Sequence, residues 1–358
     1  MRVDKALPVT PASPATIPST TWIGFARVAA MIAVVLVHAY SPLVSTIYAD
    51  LGGPTWWAAN VMDAALRWCV PVFVMISGAL LLRPKEESVG TFYRKRWAKI
   101  GVPLVVWTLA YLVWQRWRDG IEVFDAVSQT ASGSPSIHLY FLYVIAGLYL
   151  FTPFLRTVVA HTPRAGLWWF AGATLALGAT DQLLGLVDGV GGVTAATRFL
   201  PFLGYYLLGW LLVTRNGDPR DTRRGAIAFV LGTVATAVWA WAAATVEGEW
   251  GSGAAYVYDF LSPMVVLASV GAFVLLRSLG SRVRAGGPVD RVVASVSGLS
   301  FGVYLVHVMV LYTLRDLGGV PEGLMALVAA AGYALATMAI SMLLVAVVQR
   351  IPLLRSTV

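Results

Sequence analysis

Apolar runs of roughly 20 residues recur from one end of this chain to the other, each long enough to cross about 30 Å of hydrocarbon as a helix. Ten can be marked, at 22–43, 59–82, 97–117, 137–158, 166–187, 197–214, 225–246, 260–279, 296–314 and 323–348. The polar segments between them are short and leave no room for a soluble domain. The pattern predicts an all-α fold, a polytopic membrane bundle of about ten transmembrane helices, as one domain over residues 22–349. Residues 1–21, rich in Pro, Ser and Thr, read as a disordered tail, and 350–358 as a short second tail. The first run is not a signal peptide, because it contains Arg27 and His38 and lacks a small-residue cleavage site behind a short apolar core.

Composition agrees. Charged residues make up 12% of the 358-residue chain and hydrophobic ones 58%, whereas a soluble chain carries about 25% charged residues. The Lys and Arg residues are unevenly placed: with the N-terminus inside, twenty of the 26 fall in inner segments and four in outer ones. This bias predicts that both termini are cytoplasmic in a multi-pass protein of the cell (inner or plasma) membrane. It also accounts for the net charge of +8 through topology and contacts to anionic lipids, with no nucleic-acid partner. The single Cys69 excludes an intramolecular disulfide and a cysteine metal cluster, and no metal site is expected. There is no Walker loop, no GxGxxG opening a helix after a strand, no HExxH and no GxSxG, which removes support for nucleotide hydrolysis and metalloprotease chemistry.

Against this background a few ionisable residues stand out, since burying them in lipid is costly. In "RVAAMIAVVLVH" Arg27 and His38 are eleven positions apart, about 16 Å along a helix and within about 20° of one face. Arg27 either snorkels to the cytosolic interface or serves a site. His38 has less chance to snorkel, and a catalytic or proton-handling role is favoured over a packed structural one. Asp63 and Arg67 are at i, i+4, where they pair on one helical face, as an internal salt bridge or as part of a site. His138 opens the fourth run at the depth of His38, where an interfacial histidine is ordinary. "SFGVYLVH" puts Ser300, Tyr304 and His307 on one face at i, i+4, i+7, with His307 near mid-membrane. In "FYRKRWAKIGVP" the positive-inside rule suffices for Arg94 and Lys95. Arg96 and Lys99 lie already in the helical pattern and can offer a fork and a point charge to phosphates. Pro103 just beyond them should bend the helix and open a cavity.

These segments resemble the acyltransferase-3 family of multispanning membrane O-acyltransferases. The resemblance rests on Arg-x10-His (Arg27, His38), on "VPVFVMISGALLL" ending in Ser77 and Gly78, and on an RxxR-like element at Arg96 and Lys99. It continues in "HLYFLYVIAGLYLFTPFL", "FLPFLGYYLLGWLL" and "SFGVYLVH", in the family's order over roughly residues 22–315. Lys99 stands where a second arginine is common, and Ala79 where an aromatic is frequent. The resemblance implies acyl transfer, acetyl by default, from cytosolic acyl-CoA as co-substrate to a hydroxyl of an extracytoplasmic carbohydrate, glycolipid or small acceptor. No permanently bound cofactor is expected. It ties the span-one histidine most closely to catalysis and the basic residues to the donor. No appended extracytoplasmic hydrolase-like domain is seen, so the membrane domain is expected to deliver the acyl group itself.

The chemistry fits. Thioester-to-alcohol transfer needs a base, oxyanion stabilisation and a donor anchor. Arg27, Arg96 and Lys99 would hold CoA at the cytosolic mouth while the pantetheine arm reaches toward His38, the general base. Arg67, or Tyr304 with His307, would polarise the carbonyl or orient the acceptor. An exporter of polysaccharide or lipid-linked sugar would also place polar residues in spans, but has no need of Arg96 and Lys99 in that arrangement. A structural scaffold explains the helices and leaves His38 without a reason.

Overall fold

The computed structural model describes residues 21–47, 50–186 and 194–358, so the tail expected before the first helix lies outside the described residues. Among these residues the fold is all-α, with no strand. In chain order the helices are α1 (Thr21–Ser45), α2 (Pro54–Ala64), α3 (Cys69–Leu81), α4 (Val89–Arg96), α5 (Val102–Asp119), α6 (Val123–Ala131) and α7 (Tyr140–His161). They continue with α8 (Arg164–Leu184), α9 (Leu203–Val213), α10 (Asp221–Glu247), α11 (Ser252–Val257), α12 (Pro263–Gly280), α13 (Pro288–Gly318) and α14 (Leu324–Val348). Eight helical segments among the described residues are long and apolar enough to cross a membrane, and they match eight of the ten expected runs. The other two runs coincide with α8, whose last turn carries Thr180, Asp181 and Gln182, and with the shorter apolar helix Leu200–Val213.

Two departures from the expected helices have local causes. The run at 59–82 is not one helix: α2 stops at Ala64, residues 65–68 form turns, and α3 starts at Cys69. Pro71 has no N–H to offer the Arg67 carbonyl, so a continuous helix would lose that bond and clash there. In the first turn of α3 the missing N–H costs nothing. At the third run, α4 and α5 are joined through a π-helical stretch, Trp97–Gly101. Pro103 likewise cannot donate to the Lys99 carbonyl, and the Val102 N–H instead reaches back to the Trp97 carbonyl. The expected bend is thus a π-bulge, a device often found at functional sites. The helix also begins earlier than expected, at Val89, so Arg94 and Lys95 are helical too.

At the centre is α1, which packs against α2, α3, α12, α13 and α14 and buries side chains around most of its circumference. Ala26, Ala30 and Ala33, all buried, keep it thin enough for close neighbours. A similar argument explains the Ser77-Gly78 motif. A Cβ on Gly78 would overlap the Tyr206 carbonyl oxygen, and one on Gly209 the Met75 carbonyl oxygen. The two glycines let α3 and α9 touch backbone to backbone. Beyond α14 the chain turns back on itself, and the Trp107 indole N–H donates to the Thr357 carbonyl at 2.7 Å.

Candidate functional site

Because one straight helix carries both residues, α1 delivers Arg27 to one region of the bundle and His38 to another. Arg27 lines a cavity of about 470 Å³. The π-bulge turns Arg96 and Lys99 into the same cavity, so the three expected donor-binding cations come together. Arg96 is held by its flanks: its guanidinium carbon lies 5.5 Å from the Phe92 ring centre and 5.7 Å from that of Tyr149. No Asp or Glu side chain lines the cavity, and none of the three cations is in an ion pair among the described residues. Glu87, nearby on the chain, is engaged elsewhere, accepting from Lys95 at 2.7 Å with Arg156 3.7 Å away. The hydrogen bond from Lys95, then the charges of Lys85 and Arg156, hold its carboxyl below the ordinary range.

The lining also includes Phe141, Ser300 and Tyr304, and Tyr304 opens the second region. Three histidines, from α1, α13 and the turn before α7, meet there. His307 lies 5.2 Å from His38 and 5.0 Å from His138 between ring centres, and His38 and His138 are 6.3 Å apart. Tyr304 stands 5.3 Å from His138 and 5.9 Å from His307, and its hydroxyl donates to the His138 carbonyl. Tyr111 adds a further ring 4.8 Å from His138. His38 itself is not part of the cavity lining; it lies beyond Tyr304 and His307.

Hydrogen bonding separates the three imidazoles. Nε2 of His138 faces the Leu305 carbonyl at 3.4 Å, which requires an N–H there, and leaves Nδ1 to accept from the Ser136 hydroxyl at 3.3 Å. Both nitrogens are used, so His138 is a satisfied structural group despite its place near the start of a run. His307 Nδ1 lies 2.6 Å from the Tyr304 carbonyl and therefore carries the proton. Its Nε2 is then a buried lone pair with no partner. His38, half-buried, makes no hydrogen bond to a described residue, and both of its nitrogens are available. Ser300, on the same face of α13 as Tyr304 and His307, bonds its own helix at the Ser297 carbonyl, 2.8 Å away, and borders the cavity rather than the histidines.

Asp63 and Arg67 form the third feature. They pair as the spacing predicts, although Arg67 lies in the turn after α2 and not on its helix. Arg67 also donates to the Ser41 hydroxyl at 3.0 Å, three residues past His38, and lies 4.5 Å over the Tyr258 ring. Tyr258 in turn donates to the Asn60 carbonyl at 2.8 Å. The aromatic segment around residue 258 is thereby committed to holding this pair in place.

Sequence reasoning missed Tyr111, Tyr149 and Ser136, which looked like ordinary span or loop residues. It also missed Arg355 and Ser356, which line the cavity from a segment read as a tail. Among the described residues no group of His, Cys, Asp and Glu side chains is arranged to hold a metal ion. A family model, acyltransferase-3, described as an acyltransferase domain, matches residues 20–346. No curated protein and no solved structure matches the chain.

Proposed function

The chain belongs to the acyltransferase-3 family and is a multi-pass membrane acyltransferase, and we propose that it moves an acyl group from cytosolic acyl-CoA to a hydroxyl on an extracytoplasmic carbohydrate, lipid-linked glycan or related acceptor. The observation that carries this reading is the cavity: three cations and no Asp or Glu side chain in its lining, which also includes Tyr304, and the histidines packed behind Tyr304 outside that lining. Unpaired Arg and Lys side chains around a concave site suit a ligand bearing several phosphates, and CoA is such a ligand. The thioester end of its extended arm then lies toward Tyr304.

In the proposed reaction the acceptor approaches His38 from the Arg67 side. An unprotonated nitrogen of His38 takes the hydroxyl proton as the oxygen attacks the thioester carbonyl carbon. The tetrahedral intermediate collapses with cleavage of the C–S bond. The departing CoA thiolate recovers the proton from the His38 imidazolium, so ester and thiol are formed and the base is restored. The free Nε2 of His307, 5.2 Å away ring to ring, would fix which nitrogen of His38 carries hydrogen once the two rings close to hydrogen-bond distance. Tyr304 stands between cavity and histidines; its hydroxyl donates to the His138 carbonyl and would have to exchange that bond to polarise an arriving thioester oxygen. Acetyl is the expected acyl group.

The test is an acyl-transfer assay in proteoliposomes, with acetyl-CoA labelled in the acetyl group outside and candidate glycans inside. Label appearing on the enclosed glycan with stoichiometric CoA release supports the reading. Glycan flux with no CoA release would assign the chain to export and sink the proposal.

A further inference from the structure

Residues 347–358 lie past the part of the chain that the family model matches, yet Arg355, Ser356 and Val358 among them line the cation-bearing cavity. After α14 ends, Pro352 interrupts the helix and a tight turn follows, with the Arg355 N–H donating to the Ile351 carbonyl at 2.9 Å. A short 3-10 turn, Arg355–Thr357, then brings Arg355 and Ser356 into the cavity lining. Two contacts pin it. The Trp107 indole N–H donates to the Thr357 carbonyl at 2.7 Å, and Val358 sits where a Cβ on Gly302 would come within 3.1 Å of it. So fastened, the turn points Arg355 and Ser356 at the same space as Arg27, Arg96 and Lys99. Arg355 has no ion pair and no side-chain hydrogen bond among the described residues. An unpaired guanidinium on a segment held from both sides, facing three further cations, is placed to take part in binding an anion.

We propose that this C-terminal segment is part of the donor site, with Arg355 supplying a fourth cationic contact to the phosphates of the bound acyl-CoA and the Trp107–Thr357 bond holding it there. The proposal rests on the acyl-CoA reading above and adds a residue to it. It makes the segment a strap that strengthens donor binding, the opposite of a plug that competes with the donor.

The test measures binding of acetyl-CoA to the purified full chain in nanodiscs, at low and high salt, for the unaltered protein, Arg96→Ala, Arg355→Ala and Trp107→Phe. Arg355→Ala should weaken binding about three- to tenfold, the range for a partly exposed charge-assisted contact. Its salt dependence should be shallower than that of the unaltered protein, because one ionic contact is gone. Trp107→Phe keeps the ring and removes the donor, and should weaken binding in the same direction. Combining it with Arg355→Ala should cost less than the two separate losses multiplied together, since both act through one segment. Each variant's thermal unfolding midpoint identifies a folding defect, and in that case Arg355→Lys, which keeps the charge, decides the matter by restoring most of the affinity. If Arg355→Ala binds as tightly as the unaltered protein while Arg96→Ala does not, the strap is wrong and the donor cavity stands. Tighter binding in Arg355→Ala or Trp107→Phe identifies a plug and overturns the proposal. No binding by the unaltered protein overturns both this inference and the acyl-CoA reading.

Discussion

Two sets of charged side chains in this bundle are treated in opposite ways. Arg27, Arg96 and Lys99 face a cavity with no acidic side chain in its lining. Arg67, at the other end of α1, is buried with Asp63 against it, Ser41 beside it and Tyr258 beneath it. The first set has no Asp or Glu side chain set against it and so is open to an anionic ligand. The second is compensated internally and fixes α1, the turn after α2 and the segment before α12 with respect to one another. Similar residue types therefore line the proposed binding site in one place and form a structural joint in the other. What separates them is the presence or absence of a built-in counter-charge.

Between the two sets lies His38, and its loss should have the largest effect. His38→Ala should reduce acyl transfer about 10²- to 10⁴-fold, the usual contribution of a positioned general base, while donor affinity stays close to that of the unaltered protein. His138→Ala provides the contrast. It removes a satisfied structural group, so it should lower the unfolding midpoint more than it lowers the rate per folded molecule. Transfer at an undiminished rate in His38→Ala would remove this histidine from the mechanism.

Next in size is the joint. Arg67→Met should destabilise the fold by about 3–5 kcal/mol, because the Asp63 carboxylate is left buried without its partner. Exchanging both residues for apolar ones of similar volume should recover much of that loss. Thermal unfolding of detergent-solubilised protein measures both variants. Equal midpoints for Arg67→Met and the unaltered chain would mean that the pair holds nothing together.

The contrast between joint and cavity was only half visible in the sequence. Arg27 and His38 could be placed relative to each other because they share a helix, and helix geometry alone fixes their spacing. Asp63 with Arg67, and Tyr304 with His307, follow from similarly local arithmetic. The grouping of His138 with His38 and His307 does not, since it depends on which faces of α13 and α1 pack together. At the start of a run, His138 had looked like an interfacial histidine, and its hydrogen bonds to Ser136 and the Leu305 carbonyl made it a buried one. The break at residues 65–68 was legible in Pro71 and went unread, because hydropathy runs smoothly across it. Pro103 was read as a bend, and the structure made that bend a π-bulge. Nothing local in the last eight residues says that they return to the cavity, since Trp107 is some 250 positions away.

On the cavity side the expected effects are smaller, because each cation is one contact among several. Arg96→Ala should weaken acetyl-CoA binding about tenfold, near the cost of one charge-assisted hydrogen bond, and leave the unfolding midpoint nearly unchanged. Lys99→Ala should cost less, since an exposed ammonium is a strongly hydrated point charge. Lys99→Arg, which introduces a planar fork, should bind at least as tightly as the unaltered protein. Both are read by isothermal titration in nanodiscs. A fall in unfolding midpoint for Arg96→Ala as large as that for Arg67→Met would erase the distinction between the two sets.

Smallest of all should be the effect of Glu87, whose carboxylate ties Lys95 and Arg156 to the loop before α4. Its carboxyl is held below its ordinary value of 4.5 in the folded protein, first by the hydrogen bond from Lys95. A group whose folded value is lowered adds stability above its unfolded value, and that stability is lost as the pH falls through the folded value. The unfolding midpoint of Glu87→Gln should therefore lie slightly below that of the unaltered chain at pH 7, and the two should converge as the pH drops below about 4.5. Because its partners Lys85 and Lys95 are exposed, 0.5 M salt at pH 7 should shrink the same gap. A gap that persists unchanged at low pH and in high salt would mean that Glu87 acts through packing, and that the cations around it depend less on one another than the ion pairs imply.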